Sequence, residues 1–367
     1  MSIKHDNLFD QITSDDNIYK AYKNTQKASL KYKYRSLIFG QHLTRNLKEL
    51  KESLLSGNYT VGKYTRFTVY EPKERIIDAP DYKDKIVQHM LSNVVGEIYR
   101  RCFIYDSYSC IKGKGTHKAV AKINEYIKAG TNKFNEPYIV RTDIRKFFYS
   151  IDREILKRLF RKKIKCGEAL LLMDKIVDSS PEEKGLPLGC TTSQLFTNIY
   201  LNELDNYVKR VLKVRYYVRY SDDAILIVEG KKTAQDTLLK VKNFIEGLNL
   251  KLSPEKSMIS KIKQGVNMVG FYIHPTHRKL RRCSKKRVKR KLKKMPRLIE
   301  KGKMKPQKAE QMLNSWLGHA KHGSTYNFIN YLVERFDHLK LSSKETFIIR
   351  HNERTKKKTK HRNAARL

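Results

Sequence analysis

Apolar positions recur at helical spacing along much of the chain. Between residues 83 and 100, Val87, Leu91, Val94 and Ile98 follow one another at intervals of four, three and four, which sets them on one face of an amphipathic helix. Residues 41–56 also read as helix. The stretch YTVGKYTRFTVYEP (59–72) alternates apolar and polar positions and predicts a pair of strands. EPYIVRTD (136–143) predicts a short buried strand that ends in a carboxylate, and SIDREILKRLF opens a helix that Asp152 can cap. From Cys190 to about Leu212, the residues Phe196, Tyr200, Leu204, Val208 and Val211 mark another helical stripe. VRYYVRY, SDD and AILIVEG then predict strand, tight turn and strand. Ala234, Leu238, Val241, Ile245 and Leu248 mark a further helix, and VNMVGFYIHP (266–275) reads as one more strand.

Beyond Pro275 the pattern stays helical while the composition changes. HRKLRRCSKKRVKRKLKKMPRLIEKGKMKPQ is strongly basic, yet Val288, Leu292, Met295 and Ile299 keep a helical stripe. Two more helices are expected, around Trp316 and over 329–336, and together they suggest a separate helical domain. HNERTKKKTKHRNAARL has little apolar content and is expected to be a disordered basic tail. No internal repeat is visible.

Composition narrows the function. The 367 residues exceed one compact core, so two or three packed units are expected. With 78 Lys+Arg against 37 Asp+Glu, the formal net charge is +41. So much positive charge repels itself in a compact fold and calls for a polyanionic partner, nucleic acid before an acidic membrane surface. No apolar run approaches the ~18 residues of a spanning helix. The polar start, MSIKHDNLFDQITSDDN, is unlike a secretory signal. The five cysteines (Cys102, Cys110, Cys166, Cys190 and Cys283) lack zinc-type spacing and read as reduced thiols of a cytoplasmic protein.

In so basic a chain, the two acids of YSDD (220–223) stand out. Ser and Asp are good turn residues, and an isolated SDD needs no further explanation. Here, though, the flanks are too apolar for an exposed hairpin tip. A second buried strand also ends in a carboxylate, Asp143. If the strand ends adjoin, Asp143 and Asp222 offer oxygen ligands for Mg²⁺. Two such ions held about 4 Å apart can clamp the attacking and leaving oxygens of phosphoryl transfer.

RTDIRKFFYSID, GLPLGCTTSQLFTNIYLNELD and RYSDDAILIVEG, in that order, resemble the palm motifs of reverse transcriptases, and the similarity runs from about residue 40 to 335. The resemblance implies an α+β right-hand polymerase, with fingers and palm built around a small antiparallel sheet and followed by a helical thumb. The corresponding expectation is an N-terminal extension over 1–40, fingers and palm over 41–275, a basic thumb over 276–345 and a basic tail over 346–367. It implies RNA-directed DNA synthesis from dNTPs on an RNA template with a DNA or RNA primer, with no membrane partner. Two Mg²⁺ ions, replaceable by Mn²⁺, would be held by Asp143, Asp222 and Asp223. Tyr220 would pack under the primer end. Phe148 would be the gate against a ribose 2′-hydroxyl, although one of Phe147 and Phe148 is expected to be a core aromatic. Arg75, Lys114 and Lys256 correspond to basic residues near the incoming triphosphate, and any one of them could equally be a solvated charge. Gly270 falls in the primer-grip segment, where a lone Gly can also mark a bulge. Trp316 reads as a core residue of the thumb.

Leu188 and the pair Ser193-Gln194 are most similar to the reverse transcriptases of diversity-generating retroelements. That group copies a template-repeat RNA with errors at adenines and works with a small, basic, oligomeric accessory protein. Ser221 and Cys190 depart from the commoner family residues. At 188 a Gln could hydrogen-bond the nascent base pair. Leu188 can only pack, so selectivity there would rest on shape, or Leu188 is a packing residue without a role in fidelity. A defence-associated bacterial reverse transcriptase and a catalytically silent RNA-binding scaffold are the competing readings. No endonuclease motif and no RNase H unit are recognisable in the sequence.

Overall fold

The computed structural model describes residues 4–26, 34–70 and 73–335. The expected tail and the last ten residues of the expected thumb lie outside them. The chain is a mixture of helices and small antiparallel sheets, divided into two compact units: Met1–Ala119 with Glu136–Ile259, and Val120–Asn135 with Ser260–Leu367.

The first unit opens with helices α1 (Leu8–Thr13), α2 (Asp15–Thr25), α3 (Tyr34–Gln41) and α4 (Leu43–Leu55). A two-stranded antiparallel ribbon follows, β1 (Thr65–Val69) and β2 (Arg75–Ala79), and then α5 (Tyr82–Arg100). α5 carries the core. Ile86, Val87, Met90, Leu91, Val95 and Ile98 are all buried, because α1, α2 and α10 (Thr191–Asn206) pack around it. The N-terminal helices share this core through Ile12, Ile18 and Ala21. Asn17 fastens them, its side-chain amide donating to the carbonyls of Ile12 and Met90 at 2.9 and 3.0 Å.

α6 (Thr116–Lys133) begins in the first unit. β3 (Pro137–Asp143), the short helix α7 (Phe147–Ser150), α8 (Arg153–Arg161) and α9 (Gly167–Asp178) precede α10. Asp152 caps α8 as the sequence predicts, accepting from the Ile155 amide at 2.9 Å. β4 (Tyr216–Tyr220), β5 (Asp223–Glu229), α11 (Lys231–Glu246) and β6 (Met258–Lys261) follow. The strands lie in the order β4–β5–β3–β6, with β5 antiparallel to both of its neighbours. β5 is buried along most of its length, which explains its unbroken apolar run in the sequence.

In the second unit, β7 (Val266–Met268), β8 (Phe271–Ile273) and β9 (Arg278–Leu280) form a small antiparallel sheet. Helices α12 (Arg282–Glu300), α13 (Pro306–Ala320) and α14 (Tyr326–Arg335) follow. Val288, Leu292 and Met295 face Ala309 and Leu332 in a separate core, and Trp316 packs edge-on against Phe328 at its margin.

Three local expectations are corrected. Of the stretch 59–72, the described residues 59–70 hold one strand rather than a pair. In the first half, Asp84 on α5 accepts from the Tyr59 hydroxyl at 2.7 Å and the Gly62 amide at 3.0 Å, and the Tyr59 carbonyl accepts from Lys175. β1 pairs with β2 instead. Residues 266–275 are a hairpin rather than a single strand, because Val269 and Gly270 both take positive φ (40° and 90°), as a two-residue I′ turn requires. Val211 leaves its predicted stripe and is 65% exposed. A π-turn at Tyr207–Val211 widens the helix there and rotates that side chain outward.

Candidate active site

The three acids meet at one end of the four-stranded sheet. Asp143 is the last residue of β3 and Asp223 the first of β5, and the two are cross-strand partners. Asp223 also pairs with Tyr220, so Ser221 and Asp222 form the two-residue turn between β4 and β5. Ser221 takes φ 57°, the positive value such a turn demands of its first central residue.

Like charges directly opposite in a sheet destabilise it, and the surroundings answer that repulsion. Arg141, two residues before Asp143 on the same strand face, donates to Asp223 Oδ1 at 2.8 Å. Lys256, on the loop before β6, donates to Asp143 Oδ1 at 2.5 Å. The Ser253 amide fixes that loop by donating to the Asp143 carbonyl at 2.7 Å. Burial, and then the nearby Asp223 and Asp143, push the Asp222 carboxyl above its usual range. Among the described residues, no three acidic, histidine or cysteine side chains are gathered as a ready metal cage. Two of these acids instead face cations.

A buried network that the sequence reading missed holds the turn in place. Arg219 on β4 is 1% exposed and Asp205 at the end of α10 is 0% exposed. The guanidinium forks onto the carboxylate, Nε to Oδ1 and Nη2 to Oδ2, both at 2.7 Å. Its remaining nitrogen, Nη1, reaches Asn198 Oδ1 at 3.2 Å and the carbonyl of Ser221 at 3.1 Å. The Tyr217 hydroxyl also donates to Asp205 at 2.7 Å. One side chain thus ties the acid-bearing turn to α10. The only signal in the sequence was a charge inside the apolar run YYVRY.

A second group of predicted residues comes together through the segment GLPLG. Gly185 lies against the backbone of α7: a Cβ there would stand 2.4 Å from the Phe148 carbonyl oxygen, and its φ is +78°. The Leu186 amide donates to that same carbonyl at 2.7 Å. Further on, the Leu188 carbonyl accepts from the Asp78 amide of β2 at 2.8 Å. Phe148 and Leu188 are therefore set by one loop that joins α7 to β2, the strand whose exposed first residue is Arg75. Phe147 is the core aromatic of its pair; Phe148 is partly buried, edge-on to it. Gln194 is exposed on the first turn of α10.

Lys114 and Tyr220 lie on the β4 side. The Tyr220 hydroxyl is 3.1 Å from Thr116 Oγ1 at the start of α6. Lys114 is folded back: its ammonium donates to the carbonyls of Tyr105 and Ser107 and sits over the rings of Tyr105 and Tyr108. Burial lowers its pKa. Gly270 belongs to the second unit, where a Cβ would stand 3.1 Å from His319 Nε2.

Residues 68–273 match the family described as reverse transcriptase (RNA-dependent DNA polymerase). The chain belongs to the reverse transcriptase family. Among curated relatives of this reverse transcriptase, Protein YkfC of Escherichia coli is 24% identical over 66% of the chain and 73% of its own length. The group II intron-encoded protein LtrA of Lactococcus lactis is 24% identical over 62% of the chain. The chain spans 49% of LtrA. A telomerase from Candida albicans, solved with a telomeric RNA fragment, is 13% identical over 75% of this chain and 55% of that one, with a TM-score of 0.43. The relationship is thus to the bacterial and group II intron-like reverse transcriptases. No described helix is long and apolar enough to cross a membrane.

Proposed function

We propose that this reverse transcriptase copies an RNA template into cDNA by two-metal nucleotidyl transfer at Asp143, Asp222 and Asp223, within a right hand of fingers, palm and thumb. The observation that carries the reading is the register of β3 and β5, which sets Asp143 opposite Asp223 with Asp222 on the adjoining turn. The donors are all carboxylate oxygens, the set preferred by Mg²⁺ and tolerated by Mn²⁺. When bound, the ions activate the primer 3′-hydroxyl and screen the triphosphate charge.

The remaining roles belong to the chain. Lys256 pairs with Asp143, and would be available to the triphosphate if that carboxylate held a cation instead. Arg75 adds positive charge to that end of the nucleotide, as does Lys114 after leaving its two carbonyls. Phe148 packs beneath the sugar and crowds a 2′-hydroxyl. Tyr220 and the Gly270 turn support the primer. The five free cysteines suit a reducing cytoplasm.

Leu188 and Ser193-Gln194 favour a finer reading, the adenine-mutagenic enzyme of a diversity-generating retroelement, acting with a small basic oligomeric accessory protein. Leu188 meets β2 through its backbone carbonyl, and its aliphatic side chain offers no hydrogen bond to a base. A defence-associated bacterial enzyme predicts accurate products instead.

The test is primer extension on a mixed-sequence RNA with Mg²⁺ and four dNTPs, followed by sequencing of the products. Asp222→Asn should abolish extension. Above the raised pKa of Asp222, its ionised form costs the fold stability, so the same variant should melt higher than wild type at neutral pH. Full extension by Asp222→Asn would refute the metal site, and a lowered melting point would attribute lost activity to misfolding. Errors concentrated at template adenines, reduced by Leu188→Gln, would support the retroelement reading; an unchanged error rate in Leu188→Gln would remove Leu188 from it.

A further inference from the structure

We propose that a hollow at the C-terminal end of α8 is an RNA-binding site separate from the acid cluster, gripping the phosphate backbone of a strand. The hollow has a volume of about 540 Å³ and is lined by Lys4, Arg158, Arg161, Lys162 and Lys163, with no acid among them. Two of the five are pinned from outside: Arg161 pairs with Asp174, and Lys162 with Glu203. The side chains of Lys4, Arg158 and Lys163 make no hydrogen bond or ion pair among the described residues.

Cations at a helix C-terminus are favoured by the helix dipole, and that accounts for Arg158 and Arg161 without any ligand. It does not account for Lys4 or Lys163. Lys4 comes from a segment far away in sequence, carried there by a parallel β-bridge between His5 and Ile164. The His5 amide donates to the Lys163 carbonyl, and the Lys165 amide to the His5 carbonyl, both at 2.8 Å. The fold thus adds a like charge to an already cationic hollow, concentrating positive potential that a polyanion would neutralise.

The bridge also uses two nearby backbone N–H groups, so the hollow offers side-chain cations rather than a nest of amides for one small anion. α8 turns Ile155, Leu156, Leu159 and Phe160 into the core, leaving the lining cations outward. Nine residues of α8 separate Asp152, the last residue of RTDIRKFFYSID, from this end, about 13 Å at the helical rise. A polymer of evenly spaced phosphates fits such a surface. The choice of RNA among polyanions rests on membership of the reverse transcriptase family.

The experiment uses the full chain and a long mixed-sequence RNA. Its affinity is measured across salt for wild type, for Lys4→Ala/Arg158→Ala/Lys163→Ala, and for a control triple on α11, Lys231→Ala/Lys232→Ala/Lys240→Ala. At ~0.7 per neutralised phosphate on a single strand, the pocket triple should lower the slope of log affinity against log salt by about 2. Extension of a short primed template should persist. RNA crosslinked to wild type should map to peptides spanning 158–163. An unchanged slope, an equal fall in the control triple, or crosslinks that avoid 158–163 would overturn the site. Capture of polyglutamate but not RNA at those residues would do so too, in favour of an acidic protein partner. Binding is read without catalysis, so an inactive Asp222 would leave this result standing on its own.

Discussion

Arg219 and Asp205 are where a single residue matters most to the site. A fully buried ion pair holds up only if its geometry is excellent and its spare donors are used; here the fork is bidentate and the last nitrogen holds the Ser221 carbonyl. Asp205→Ala should therefore lower unfolding stability by about 3–5 kcal/mol, the usual effect of stranding one buried charge, measurable by urea denaturation. The double variant Asp205→Leu/Arg219→Met should recover part of that stability. It should still extend primers slowly, with the loss in kcat rather than KM, because the turn that carries Asp222 then loses its tie to α10. Full activity in a stable double variant would reduce the pair to packing. At this scale the sequence was uneven. The approach of Asp143 to the SDD turn could be anticipated, because each acid stands at the end of an apolar run that reads as a buried strand. The partnership of Arg219 with Asp205, fourteen residues apart, could not, since no periodicity links a helix end to a strand.

Among elements, the GLPLG segment decides how the α7 turn meets β2. Its tolerance for substitution should be low where backbones touch. Gly185→Ala would put a Cβ 2.4 Å from the Phe148 carbonyl oxygen and 2.6 Å from Tyr149 Cα, at a φ of +78°. Such a change must push α7 away. Destabilisation beyond the roughly 1 kcal/mol typical of a substitution is expected, together with weaker rejection of ribonucleotides as Phe148 shifts. Comparing dNTP and rNTP incorporation checks this; unchanged discrimination would separate Phe148 from the sugar. Long periodic elements such as α5 and α12 were legible because their burial follows a fixed spacing. Apart from the π-turn that exposes Val211, the errors fell on short strands. At 59–72 a side chain on another helix captured the backbone, and at 269–270 the turn was hidden in an apolar run whose only marker was Gly270.

For the whole molecule, positive charge governs how RNA is held. A chain at +41 that holds its RNA through six or more phosphates should lose on the order of a thousandfold in affinity between 50 and 200 mM salt. Filter binding across that range checks it, and a flat profile would mean that base stacking rather than backbone charge carries the affinity. The bridge between His5 and Ile164 acts at this scale as well. His5 leaves the ribosome about 160 residues before Lys163, which at ordinary elongation rates is an interval of roughly 8–30 s. For roughly the first half of it the apolar sides of α1 and α2 wait for α5 to arrive, and Lys4 waits for the whole of it. Residues 4–25 are thus made early and docked late, and they are the stretch on which a nascent-chain chaperone would dwell.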